Sequence, residues 1–150
     1  MIRKVLIIVV VIFVIMQFIS SGRPDNNPAP GKDLLDMVDA SDDVVAILKS
    51  ACYDCHSQQV IYPWYSYVAP VSFLVSRDVR EGREHLDFGL WGDLSKRKQI
   101  KALDEISEEV EAGEMPMKIY PIMHPDAKLT DAQRQQIIDW CEISADRLFE

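Results

Sequence analysis

Cys52-Tyr53-Asp54-Cys55-His56 is a C-x-x-C-H run, the covalent attachment signature of c-type haem. Three reactive groups stand where one porphyrin needs them. The thiols of Cys52 and Cys55 can add across its two vinyl groups, and the adjacent imidazole of His56 is placed to be the proximal iron ligand. A zinc site would need two further Cys or His at a second short spacing, and the remaining candidates, His85, His124 and Cys141, are scattered. A dithiol oxidoreductase would set the pair after a strand in an alternating strand and helix pattern, and no such pattern precedes Cys52. The run implies one covalently attached haem c, and a fold arranged around a large flat cofactor.

Working outward, Ser41 followed by Asp42, Asp43, Val44, Val45, Ile47 and Leu48 reads as a capped helix running into Cys52. Pro70 is suited to the first turn of a second helix through Val71, Leu74, Val75 and Val79, ending near Gly82. Ile100, Leu103, Ile106 and Val110 mark a third, with Gly113 as its stop. Thr130 and Gln133 form a capping box ahead of a fourth that carries Ile137, Ile138, Cys141 and Leu148. Strand-like alternation is missing after the first twenty residues, so the expected fold is all-α, a small cytochrome c-like helical domain. Its long loops, Ser57–Ala69 and Glu114–Leu129, would be hard to account for without a ligand to pack on.

The chain has 150 residues, 48% of them hydrophobic, enough for one ordinary core. Arg3 and Lys4 precede an apolar block, Val5 to Ile19, broken only by Gln17. Residues 1–22 therefore read as a signal peptide or an N-terminal membrane anchor, an apolar helix ahead of the domain. The absence of an A-x-A pattern and the Ile and Val richness of the block favour the anchor. Residues 23–40, with Pro24, Pro28, Pro30 and Gly31 in their first part, read as a stiff exposed linker, and residues 41–150 as the haem domain. The formal charge of −8 becomes −10 once Arg3 and Lys4 are left aside. That sign argues against nucleic acid or anionic lipid as the main partner and suits a redox partner with a basic face.

Met115, before Pro116 in a loop between two helices, is the first choice for the sixth iron ligand; His124, Met117, Met123 and His85 are its rivals. A Met and His pair suits an electron carrier, whereas an open sixth position admits peroxide or a small gas. Tyr62, Trp64, Tyr65 and Tyr67 form an aromatic loop fit to wall the porphyrin. Arg77, Arg80 and Arg83 recur at three-residue spacing, where one could meet a propionate. Cys141 lies on the apolar side of the last helix, which predicts burial.

Residues 52–57 (Cys-Tyr-Asp-Cys-His-Ser), Tyr62-Pro63-Trp64-Tyr65-Ser66, Ala69-Pro70-Val71-Ser72 and Glu81-Gly82-Arg83 together resemble the bacterial haem-binding domain family of exported c-type haem proteins. The likeness continues through Gly113-Glu114-Met115-Pro116, Tyr120, His124-Pro125, Ala127-Lys128-Leu129-Thr130 and Trp140, about residues 45 to 142. The resemblance implies haem held by Cys52 and Cys55 with His56 as ligand, in a membrane-bound or periplasmic redox protein. The expected function is one-electron transfer in the periplasm. The alternative is a haem enzyme or sensor with a labile or open sixth position, and a dithiol oxidoreductase without haem stands third.

Overall fold

A computed structural model describes residues 1–149, and among these every regular element is helical, in agreement with the all-α expectation. Seven α-helices occur in chain order: α1 Ile2–Met16, α2 Leu34–Met37, α3 Asp42–Ala51, α4 Tyr53–His56, α5 Val71–His85, α6 Lys96–Ala112 and α7 Asp131–Phe149. Four short 3-10 turns lie between them: Trp64–Tyr67, Phe88–Asp93, Tyr120–Ile122 and Pro125–Ala127.

The caps act as the sequence suggests. The Ser41 hydroxyl accepts from the Val44 amide at 3.4 Å. At the start of α7 the Thr130 amide donates to Gln133 Oε1 at 2.9 Å and the Gln133 amide returns a bond to Thr130 Oγ1 at 3.2 Å. Gly113 closes α6 with φ 72, the left-handed conformation a side chain disfavours. α6 and α7 then form an antiparallel pair, since Arg134 in the first turn of α7 donates to the Val110 carbonyl at the end of α6, at 2.8 Å. Val44, Ile47 and Leu48 of α3, Leu103 and Val110 of α6, and Ile137, Trp140 and Cys141 of α7 share one buried cluster.

The helices around the attachment turn depart from the sequence reading. α5 does not stop near Gly82 but continues to His85; Gly82 is the point at which α5 crosses the attachment turn, where a Cβ would lie 2.9 Å from the Cys55 carbonyl oxygen. The turn Phe88–Asp93 also buries Phe88 and Trp91, two of the largest enclosed side chains. Gln99 Nε2 holds it by donating to the Trp91 carbonyl at 3.0 Å.

The segment expected to be an exposed linker is packed onto the domain. Asn26 exchanges two hydrogen bonds with the Val60 backbone, at 2.8 and 3.1 Å, which makes its side chain act as a strand partner. The Tyr62 hydroxyl donates to the Pro24 carbonyl at 2.6 Å, and Arg83 donates to the Asp25 carbonyl and Asn26 Oδ1. Further on, Leu34 is fully buried and Asp33 nearly so. Prolines limit how residues 24–30 bend but leave their carbonyls free, and side chains of the domain take them up.

The N-terminal apolar helix is present as α1, with no buried residue. Its 15 residues rise about 22 Å against a bilayer core of about 30 Å. Among the described residues no helix is long and apolar enough to cross a membrane, so a membrane-crossing segment, one of the two readings of residues 1–22, is not borne out by helix length.

Candidate functional site

α4 is a single turn set directly after α3, with Cys52 between them in a non-helical conformation. The amides of Cys55 and His56 both donate to the Cys52 carbonyl, at 3.2 and 3.0 Å. A three-residue spacing on such a turn puts the two thiols on one side of it. Both are unpaired. Burial pushes the Cys52 thiol up to about 12, with Cys55 adding to it, and pushes Cys55 up to about 12 as well, helped by Asp54 and Asp78. Thiol exchange needs an accessible thiolate, and these groups stay protonated at neutral pH.

His56 lies against the Phe88 ring at 5.5 Å, and its Nδ1 is 2.9 Å from the Leu86 carbonyl oxygen. A carbonyl can only accept, so Nδ1 carries the proton and Nε2 keeps its lone pair. That is the tautomer and orientation an axial histidine requires. Burial holds the ring below its ordinary pKa, in the neutral form that coordinates iron.

The two intervening residues of the motif pin the turn from either side. The Tyr53 hydroxyl donates to the buried Asp33 carboxylate, and its ring packs on Phe88 at 5.4 Å. Asp54 accepts from the Tyr120 hydroxyl at 2.7 Å. Arg83 Nε donates to the Ser57 carbonyl at 2.9 Å, fixing the residue after His56. Sequence reasoning missed Asp33, Tyr53, Asp54, Phe88 and Leu86, because their roles come from contacts made across the fold; the carbonyl that orients His56 leaves no trace in residue type at all.

Of the aromatic loop, Tyr62 and Tyr65 are half-buried, and burial raises both hydroxyl pKa values, opposed at Tyr62 by Arg83 and Arg23 and helped at Tyr65 by Asp54. Trp64 does not join them. It is 73% exposed, with its edge on Tyr65 at 5.9 Å. The Tyr65 hydroxyl bonds His124 Nε2, and His124 stacks on Tyr120 at 4.2 Å, so His124 reaches the attachment turn through Tyr120 and Asp54. Met115 is half-buried at the end of α6, where its amide donates to the Glu109 carbonyl and its carbonyl accepts from Arg134 at 3.3 Å. Met123 and His85 are exposed, and Met117 is half-buried. Arg77 pairs with Asp78 at 2.8 Å, and Arg83 is engaged by the Ser57 and Asp25 carbonyls and Asn26 Oδ1. Cys141 is buried as expected, close enough for a charge on Cys52 to raise its pKa.

Among the described residues no three His, Cys, Asp or Glu side chains gather to hold a metal ion. A porphyrin supplies four nitrogens of its own, so two free thiols and one oriented imidazole fit a haem where they would not fit a bare ion. The haem-binding domain family matches residues 11–143. The chain belongs to that family. Its match begins inside α1 and ends in α7, so it takes in the strap of residues 23–38 together with the attachment turn. Neither a curated protein nor a solved structure matches this haem-binding domain.

Proposed function

We propose that this haem-binding domain carries one haem c, held by thioether bonds to Cys52 and Cys55, and serves as a one-electron carrier on the periplasmic side of the inner membrane. The observation that carries the reading is the Nδ1–H of His56 donating to Leu86 at 2.9 Å, which leaves Nε2 free one residue after two free thiols. When bound, the haem supplies an iron that takes up and gives back one electron.

The chain's own residues do the rest. His56 Nε2 would hold the iron on one side. Met115 is the proposed sixth: its thioether has no hydrogen bond to break, whereas His124 Nε2 is engaged by the Tyr65 hydroxyl. Tyr62 and Tyr65 would limit water at the Cys55 side, and Trp64 would reach the cofactor only if the loop moved. An acidic surface, −8 over the whole chain, would steer a redox partner with a basic face toward it. No nucleic acid is a partner under this reading. Haem is attached by thioether outside the bacterial cytoplasm, which is why export by way of the N-terminal segment belongs to the same proposal.

One observation favours the rival, a haem enzyme or sensor with an open sixth position. Met115 is tied by its backbone to Glu109 and Arg134, at the junction of α6 and α7, which restrains how far its thioether can be carried toward an iron. Absorption spectra of the oxidised and reduced protein, before and after carbon monoxide, separate the two. A low-spin spectrum with a Met-to-iron charge-transfer band, unchanged by carbon monoxide and lost in Met115→Ala, supports the carrier. A high-spin spectrum that carbon monoxide shifts supports the rival. Loss of the low-spin state in His124→Ala alone would transfer the sixth position to His124.

A further inference from the structure

We infer that the corner of the domain formed by the 3-10 turn Trp64–Tyr67 and the start of α5 lies against a phospholipid bilayer, clamped there by the end of α1. The inference rests on the proposed place of the protein at the inner membrane, and takes the apolar N-terminal segment to be retained and to enter the lipid without α1 being long enough to cross it. A helix that is apolar on every face has no aqueous surface to offer and needs an apolar medium all round. From Val5 to Ile15 α1 is such a helix, and its side chains there are exposed.

The position of the domain relative to α1 is fixed by contacts. Gln17, the residue that ends the helix, makes two hydrogen bonds with the backbone of Ala69: its Nε2 donates to the carbonyl at 3.2 Å and its Oε1 accepts from the amide at 3.0 Å. Six residues later the Arg23 guanidinium sits 3.9 Å from the Tyr67 ring centroid and 4.8 Å from that of Tyr62, and it donates to the Ser66 carbonyl at 3.3 Å. Met16, Gln17, Ile19, Arg23, Tyr67 and Ala69 line one shared cavity. Whatever surrounds α1 therefore also meets this corner.

The chemistry of the corner suits lipid. Residues 57–76 contain no Asp, Glu, Lys or Arg, twenty positions in a chain that is 27% charged. Within that stretch Trp64, Tyr67, Val71 and Leu74 are exposed, at 73%, 61%, 39% and 46%. Trp and Tyr favour the boundary between headgroups and acyl chains, where a ring with one polar edge is half satisfied on each side. Arg23, stacked on two such rings, keeps its charge within reach of lipid phosphates. The domain thus sits on the membrane in one orientation, in place of swinging from a linker.

The test uses the full chain with haem attached, in vesicles of phosphatidylcholine and phosphatidylglycerol. Flotation first asks whether the chain binds them. A charged, membrane-impermeant maleimide then reports access to a thiol in Trp64→Cys, in Leu74→Cys and, on the far face of α6, in Glu108→Cys. The two corner thiols should react about tenfold more slowly than the Glu108→Cys thiol, as expected of a group withdrawn from water. Adding Gln17→Ala and Arg23→Ala should leave flotation intact and restore their rate. A chain that floats while the corner thiols react as fast as the α6 thiol overturns the inference and leaves a membrane-bound α1 standing. Equal protection in the absence of vesicles also overturns it, since a cover other than the membrane would be responsible. A chain that does not float defeats both.

Discussion

Tyr53 and Asp54 fill the two positions that the attachment motif leaves free, and each ties the turn to a different part of the chain. Tyr53 reaches the buried Asp33, and Asp54 takes the Tyr120 hydroxyl from the loop between α6 and α7. The turn is held before any cofactor is considered. Removing one thiol should then leave attachment possible at the other. Cys52→Ala and Cys55→Ala are each expected to retain a single thioether, read as a pyridine haemochrome band displaced to longer wavelength because one vinyl stays unsaturated; an unshifted band in either variant would show that its thiol takes no part. Gly82 is the opposite kind of residue, useful for what it lacks. In Gly82→Ala the new Cβ would meet the Cys55 carbonyl oxygen at 2.9 Å and the carbonyl carbon at 3.2 Å, and these are backbone atoms, so helix and turn must separate. A cost of about 1–3 kcal/mol is expected, visible as a lower urea midpoint together with reduced haem content. The motif residues themselves were legible in the sequence because their chemistry is local. Gly82 was visible but misread as a stop, since a glycine that ends a helix and one that lets two backbones meet look alike until the partner is known.

At the scale of elements, α3, α6 and α7 were readable because their caps and apolar spacing agree. Ser41, Gly113 and the Thr130 and Gln133 pair each appear where the pattern puts them. Gly113→Ala tests one of these: forcing a side chain to φ 72 should cost about 1–2 kcal/mol, measured by chemical denaturation, with the haem spectrum unchanged. The turn Phe88–Asp93 was invisible, because a 3-10 turn this short has no periodicity to detect. Its weight is nonetheless large. Trp91 is 1% exposed, and Trp91→Ala should cost about 3–5 kcal/mol, a loss that leaves little of a small domain's usual margin. A thermal midpoint within a few degrees of the parent would contradict that account of the core. The strap of residues 23–38 was misread for a related reason. Pro, Gly and Asn predict a lack of helix or strand, and say nothing of whether neighbouring side chains such as Tyr62 and Arg83 will bind the carbonyls so exposed.

The whole molecule joins a strongly acidic helical domain to an uncharged corner and an apolar N-terminal helix. Charge of this size acts at long range, and it predicts that electron transfer with a basic partner slows steadily as salt is added, since the Debye length falls from about 10 Å at 0.1 M to about 3 Å at 1 M. Stopped-flow oxidation by a cationic and by an anionic small-molecule acceptor should show opposite salt dependences; equal slopes would remove surface charge from the account. The central claim remains the covalent cofactor, and intact-mass measurement of the protein, expressed with haem-attachment machinery and extracted with acidic acetone, tests it most directly. The account predicts one species heavier by one haem, losing that mass only when both Cys52 and Cys55 are replaced. A polypeptide at its bare mass, with the colour left in the solvent, would contradict it.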